Sequence, residues 1–217
     1  TKSVWQATSS DVGVETADIM TARVGMTAGT YMEPADQIRF WETFVERIQA
    51  QPGIDSATVT ISLPGTNTGD GPVSIEGRDY GDTSTRPFVQ QVVSSPSFFE
   101  TFRIAPLQGR LFDSRDNADS MEAVVINQRM ARELFGDASP LGARLRYDLD
   151  EDGGWMTVVG VVPDVIHDNS GTAEPTMYMP IAQQDQRFMS IAVRGTGELR
   201  SLTGAIRTAL AQTDPDM

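Results

Sequence analysis

The stretch PADQIRFWETFVERIQAQPGIDSATVTISL, residues 34–63, decides how the fold is read. Pro34 suits a first helical turn, where the missing N–H has no intrahelical partner to lose. Ile38, Trp41, Phe44, Val45 and Ile48 then recur at helical spacing, while Glu42, Glu46 and Arg47 fall elsewhere around the axis. Gln51-Pro52-Gly53 stops the helix. Beyond it Ala57, Val59 and Ile61 alternate with polar residues, the period of a strand. Upstream, IMTARVGMT (19–27) places Met20, Ala22, Val24 and Met26 on one face of another strand. Strand, helix and strand, joined by a connection long enough for a crossover, predict two parallel strands, or at least two members of one sheet.

Outward from this unit the pattern changes. PGTNTGDGP (64–72) reads as a loop of turn formers. Short strands are predicted at Val73–Ile75 and Phe88–Val93, and a short helix over 96–102, capped by Ser95 with Pro96 in its first turn. Residues 105–122 form an acidic loop. A strand follows at Ala123–Ile126, then a helix capped by Asn127 and running to Phe135, with Met130, Ala131 and Leu134 inward. Leu145–Leu149 and Met156–Val162 read as a hairpin across an acidic tip, Met177–Pro180 as extended chain, and Phe188–Val193 as a strand. A last helix spans Leu199–Gln212, with Leu202, Ile206, Ala209 and Leu210 inward. Crossovers mixed with hairpins predict an α+β fold in two lobes. The two chain ends, residues 1–94 and 186–217, read as two halves of one α/β unit, with residues 95–185 inserted between them as a mixed α+β lobe.

Composition narrows the function. The chain has 217 residues, 30 acidic and 17 basic, and a formal net charge of −13. Such a surface repels phosphate backbones, which excludes nucleic acid as a partner. With no cysteine there are no disulfides, thiolate metal sites or thiol nucleophiles. No run of 18 apolar residues is present, and TKSVWQATSS (1–10) lacks the apolar core of a signal peptide. The chain begins without methionine and reads as a fragment of a longer protein.

A set of stretches in fixed order carries a resemblance: TARVG (21–25), VSSPSFFETF (93–102) leading to LQGR (107–110), VVINQRMARELF (124–135), PLG (140–142), TVVGVVPD (157–164), MYMP (177–180) and TDPD (213–216). Together they resemble the MacB-like periplasmic core domain of ABC transporter permeases, in the FtsX-like permease superfamily. The resemblance implies a two-lobed domain outside the inner membrane, between the first two transmembrane helices, whose chain-end lobe is porter-like and which relays ATP-driven helix motion to periplasmic substrate or partner. It implies a cytoplasmic ABC ATPase, a second permease copy and an adaptor or cargo as partners, and chain ends that lie close together. The alternative is a free-standing periplasmic protein binding a small ligand or peptide, which requires a deep preformed pocket. An enzyme, the third reading, requires a clustered nucleophile and base.

No catalytic, cofactor-binding or metal residue is assigned, and no cofactor is expected. Asp148-x-Asp150-x-Asp152-Gly153 matches the first half of a calcium loop, but Val159 stands where the bidentate glutamate belongs, so a solvated hairpin tip is expected. Asp113, Asp116 and Asp119 are read as solvated loop charges. His167, the single histidine, has Asp164 and Asp168 near in sequence but no G-x-S-x-G elbow, and is read as a loop residue. No Walker loop exists, and Lys2 is the single lysine. The glycine-rich loop 64–71 is read as mobile. Trp41 and Phe44 should face the sheet, and Phe98, Phe99 and Phe102 should fill the inserted lobe. Met177 and Met179 alternate with Tyr178, so one set should be exposed. Trp5 is expected near the membrane interface.

Overall fold

A computed structural model describes residues 12–26, 29–148, 154–196 and 199–216. The described elements run β1 (Ile19–Gly25), α1 (Pro34–Gln49), β2 (Ile54–Thr60), β3 (Asp70–Ile75), β4 (Phe88–Ser94), α2 (Phe98–Thr101), β5 (Gln108–Gly109), β6 (Ala123–Asn127), α3 (Gln128–Phe135), β7 (Arg144–Tyr147), β8 (Met156–Val162), β9 (Thr176–Pro180), β10 (Phe188–Gly195) and α4 (Leu199–Thr213). The α+β class holds.

β1 and β2 lie in one sheet and point the same way, but they do not touch. β10 lies between them, antiparallel to both, with Ile191 opposite Ala22 on one side and Val59 on the other. α1 and α4 pack side by side over this three-stranded sheet. Its apolar face carries Met20, Ala57, Val59, Ile191 and Val193, in one cluster with Phe44, Ile48, Leu202, Ile206 and Ala209 of the helices.

The remaining strands form a ring. β4 pairs with β3, β3 with β7, β7 with β8, β8 with β6 and β6 with β9. β9 then pairs in parallel with β4 and closes it. Alternation sends one side chain set inward: Val73, Val93, Val124, Ile126, Leu145, Met156, Val158, Met177 and Met179 join the same core as the chain-end helices. The short β5 continues the ring where β7 leaves β8, Gln108 lying opposite Val161.

Several local expectations change. The apolar stripe of α1 also takes in Phe40, because Gln37 donates to the Tyr31 carbonyl and holds that ring within 5.0 Å of Phe40. Trp41 is fully buried, its indole N–H donating to the Gln186 carbonyl at 2.6 Å. Ser95 does not cap α2, which starts at Phe98 with Ser97 in the cap position. Met177, Tyr178 and Met179 are all buried, since β9 is flanked by β4 and β6 and covered on both faces. Phe98, Phe99 and Phe102 pack in one cluster with Val92, Val125, Tyr178 and Ala192, so they lie beneath the chain-end sheet as well as the ring. Val12 is bonded to Ile166 on that face, whereas Asp214 is bonded to Tyr31 on the helical face. The first and last described residues therefore lie on opposite faces of the sheet, and Trp5 and Lys2 are outside the described residues.

Asn127 acts beyond its capping role. Its Oδ1 accepts from the N–H groups of Met130 (2.9 Å) and Thr176 (3.0 Å), and its Nδ2 donates to the Glu174 carbonyl (2.8 Å). It thereby ties α3 to the strand that closes the ring. Asn127→Ala removes a cap and strands a buried N–H, and should cost about 2–4 kcal/mol in urea unfolding. A loss below about 0.5 kcal/mol would show that these contacts add no net stability.

Candidate functional site, a polar seam across the sheet

The chain-end sheet meets the ring along a narrow line. β2 and β4 share one residue pair, Thr60 opposite Ser94. Two backbone bonds flank it, Ile61 N–H to Val93 O and Ser95 N–H to Val59 O, each 2.9 Å. Hydroxyls line this junction. Thr58 Oγ1 lies 2.8 Å from Ser95 Oγ, and Ser95 Oγ lies 2.9 Å from Ser97 Oγ. Ser95 Oγ accepts the Val59 N–H, and Ser97 Oγ donates to the Ala57 carbonyl at 2.7 Å. On the loop side Thr60 Oγ1 donates to the Ser62 carbonyl, and Thr66 Oγ1 bonds both the carbonyl and the N–H of Leu63. Thr58, Thr60, Ser62, Ser94 and Ser95 are all buried.

Short hydroxyl bonds can exchange partners with small displacements, whereas an interlocked apolar contact resists sliding. The seam thus combines a minimal ladder with a polar lining. The strand alternation marks Thr58 and Thr60 as the face away from α1. They are buried because α2 packs against β2 from below.

The glycine-rich loop beside the seam is tied down. Gly65 N–H donates to the Ile166 carbonyl, Thr68 Oγ1 donates to the Gln91 carbonyl, and Gln91 N–H donates to the Gly69 carbonyl. Its Ser and Thr side chains substitute for regular pairing.

The candidate acidic sites dissolve into ion pairs. Asp148 accepts from Ser74 Oγ at 2.7 Å and pairs with Arg86 (3.2 Å) and Arg146 (3.3 Å). Asp150, Asp152 and Gly153 lie outside the described residues. Asp116 is buried and held by both terminal nitrogens of Arg110, at 2.6 and 2.7 Å. Asp113 faces Arg115, whose hydrogen bonds hold its carboxyl far below the usual range. Asp119 does not join them, its N–H bonding instead to Asn117 Oδ1. Among the described residues no cluster of three or more such ligands is present. A shallow cleft on the ring, lined by Gln91, Tyr147, Met156 and Met179 among others, holds about 240 Å³ of empty space, open solvent included. Little of that space is enclosed, and it has room for about one water molecule.

His167 lies in the connection after β8, as its reading as a loop residue expects, but it is not solvent-exposed. It is fully buried, 3.0 Å from the Tyr178 hydroxyl and roughly parallel to the Phe98 ring. Its neighbouring carboxylates are engaged elsewhere, Asp168 with Gln90 and Ser170, Asp164 with Arg129 and Arg132. Burial pushes its pKa down to about 4, outweighing the Asp168 charge and the Leu63 backbone, which act in the opposite direction. Burial likewise raises the Tyr178 hydroxyl. A depressed histidine means that the unfolded chain takes up the proton first on acidification. The stability held above pH 6.5 should therefore fall by about 3 kcal/mol down to pH 4. His167→Gln should flatten that part of the profile in urea titrations between pH 7 and pH 4.5, and matching slopes for the two proteins would contradict the assignment.

Comparison with known proteins completes the picture. The family model for the MacB-like periplasmic core domain matches residues 3–209. The crystal structure of the periplasmic region of MacB from Actinobacillus actinomycetemcomitans is similar with a TM-score of 0.59 at 19% identity, covering 92% of this chain and 85% of that one. The extracellular domain of the noncanonic ABC-type transporter YknZ from Gram-positive bacteria gives 0.58 at 14% identity, covering 91% and 95%. No curated protein matches the chain. At these identities the solved structures carry the fold, and the family match, which runs nearly the full length, shows that the chain belongs to the MacB-like periplasmic core domains of ABC transporter permeases.

Proposed function

We propose that this chain is the non-catalytic extracytoplasmic domain of an ABC transporter permease, and that it relays ATP-driven movement of transmembrane helices to a periplasmic substrate or partner. The observation that carries the reading is the seam. A unit built from both chain ends, β1, α1, β2, β10 and α4, joins a closed ring within the sheet at one residue pair, Thr60 opposite Ser94, through the two backbone hydrogen bonds that flank it. In this reading movement entering at the chain ends reaches the ring through this narrow ladder and the apolar core that spans it.

Family membership supports the periplasmic location, and no helix among the described residues is long and apolar enough to cross a membrane. The partners in this reading are a cytoplasmic ABC ATPase, a second permease copy, and an adaptor or cargo in the periplasm. We keep the second lobe boundary at 185/186 and move the first away from 94/95. β3 and β4 pair with β7 and β9, which favours a first boundary in the loop after Thr60. The cleft on the ring has room for little more than a water molecule, which favours the relay over a free-standing ligand-binding protein.

The test uses the parent permease with its ATPase in lipid nanodiscs. The chain has no cysteine, so Arg207→Cys and Asp137→Cys place spin labels on exposed positions, one on α4 and one after α3. Trapping the ATP-bound state should shift the distance within one domain or between the two copies. If both distances stay the same through the nucleotide cycle, the relay is overturned.

A further inference from the structure

Residues 12–18 cross the underside of the sheet, opposite α1 and α4, and touch both sides of the seam. At one end the Val12 carbonyl accepts the Ile166 N–H at 3.0 Å, and Gly13 lies against the Asp164 carbonyl, so this end rests on the connection that leaves the ring after β8. Val12 also meets Gly65 in the loop that leaves β2. At the other end the segment is held by Arg194 of β10. That side chain is 5% exposed and donates to three carbonyls: Nε to Thr101 of α2 (2.9 Å), Nη1 to Ala17 (2.8 Å) and Nη2 to Glu15 (2.7 Å). Arg103, just after α2, pairs with the Glu15 carboxylate above it. The Asp18 carbonyl accepts the N–H of Gly195.

Two features mark this arrangement as more than packing. This buried guanidinium is hydrogen-bonded to three backbone carbonyls and forms no ion pair among the described residues, so its stability depends on keeping all three in place. Asp18 and Arg103 both sit in the left-handed region, at φ 61° and 55°, a conformation that costs a non-glycine residue free energy unless its surroundings enforce it. Both flank the carbonyls that Arg194 gathers.

We infer that residues 12–18 form a strap latched by Arg194, which ties the start of the chain to both sides of the seam and limits how far the seam opens. Releasing Glu15 and Ala17 from Arg194 frees the strap from β10 and α2. The strained residues then relax, and the ring is held to the chain-end unit by the seam and the apolar core alone. The latch gives meaning to the relay proposed above as a stop on its movement, but its contacts and its test stand without that relay.

The experiment uses this 217-residue chain. The Ile166 and Gly195 amides bond to strap carbonyls, so their hydrogen exchange reports whether the strap is seated. Arg194→Met should raise exchange at both by ~10-fold or more while amides within α1 keep their protection. The same variant carrying labels at residues 137 and 207 should show a wider distance distribution by pulsed electron resonance. Arg194→Lys, which keeps the charge but not the three-way fork, should fall between the two and guards against a variant that does not fold. Unchanged exchange at Ile166 and Gly195 in both variants overturns the latch. Faster exchange with an unchanged distance distribution overturns the strap's hold on the seam. A latch confirmed here alongside a permease whose label distances ignore ATP would sink the relay and leave the strap standing.

Discussion

A strand has two edges of finite length, and the allocation of those of β4 organises this molecule. One edge is taken from Gln90 to Ser94 by β9, whose parallel pairing closes the ring. The other is shared. β3 occupies Phe88 to Gln90, and β2 reaches β4 only at Ser94. Since β2 and β3 follow each other along the same edge, the loop between them must arch over the gap, with Gly69 and Thr68 bonding Gln91 on the way. The narrow junction is thus a consequence of closing the ring.

What the backbone ladder does not supply, the two faces do. Above the sheet Trp41, Phe40 and Phe44 belong to one apolar cluster with Met177, Met179 and Ile181, and the indole bond to Gln186 adds a directional contact. Below it Phe98, Phe99 and Phe102 pack with Tyr178 and Ala192. The core is continuous across the seam, so any bending there works against dispersion and burial on both faces. Hydroxyls along the line between them keep the local interlocking low.

The acidic character of the chain is put to structural use. With 17 basic residues against 30 acidic ones, arginines are the scarce partner, and several carboxylates compete for few cations. The buried carboxylates of Asp116 and Asp148 each have arginine partners. Desolvating a carboxylate is costly unless a cation and hydrogen bonds compensate, which is why Arg110 stands beside Asp116 in its loop and Arg86 and Arg146 stand beside Asp148 at the end of β7. Spacing of aspartates in the sequence says nothing about this, because it does not show where the arginines lie.

Periodicity determined α1, α3 and α4, most of the strands and the α+β class, whereas α2 was read from Ser95 and Pro96 and starts at Phe98. Ile38 to Ile48, Ala57 to Ile61 and Leu202 to Ala209 each repeat with the period of their element, and that repeat is a local property of the chain. Asn127 was legible as a cap for the same reason. The order of motifs was enough to suggest the family. The insertion of β10 between β1 and β2, the closure of β4 on β9, the burial of Thr58, Thr60 and His167, and the grip of Arg194 on Glu15, Ala17 and Thr101 were decided by tertiary structure. Each depends on which distant segments share an edge or a face. A polar residue at an outward strand position reads as solvent-facing until another element, here the four-residue helix α2, covers it.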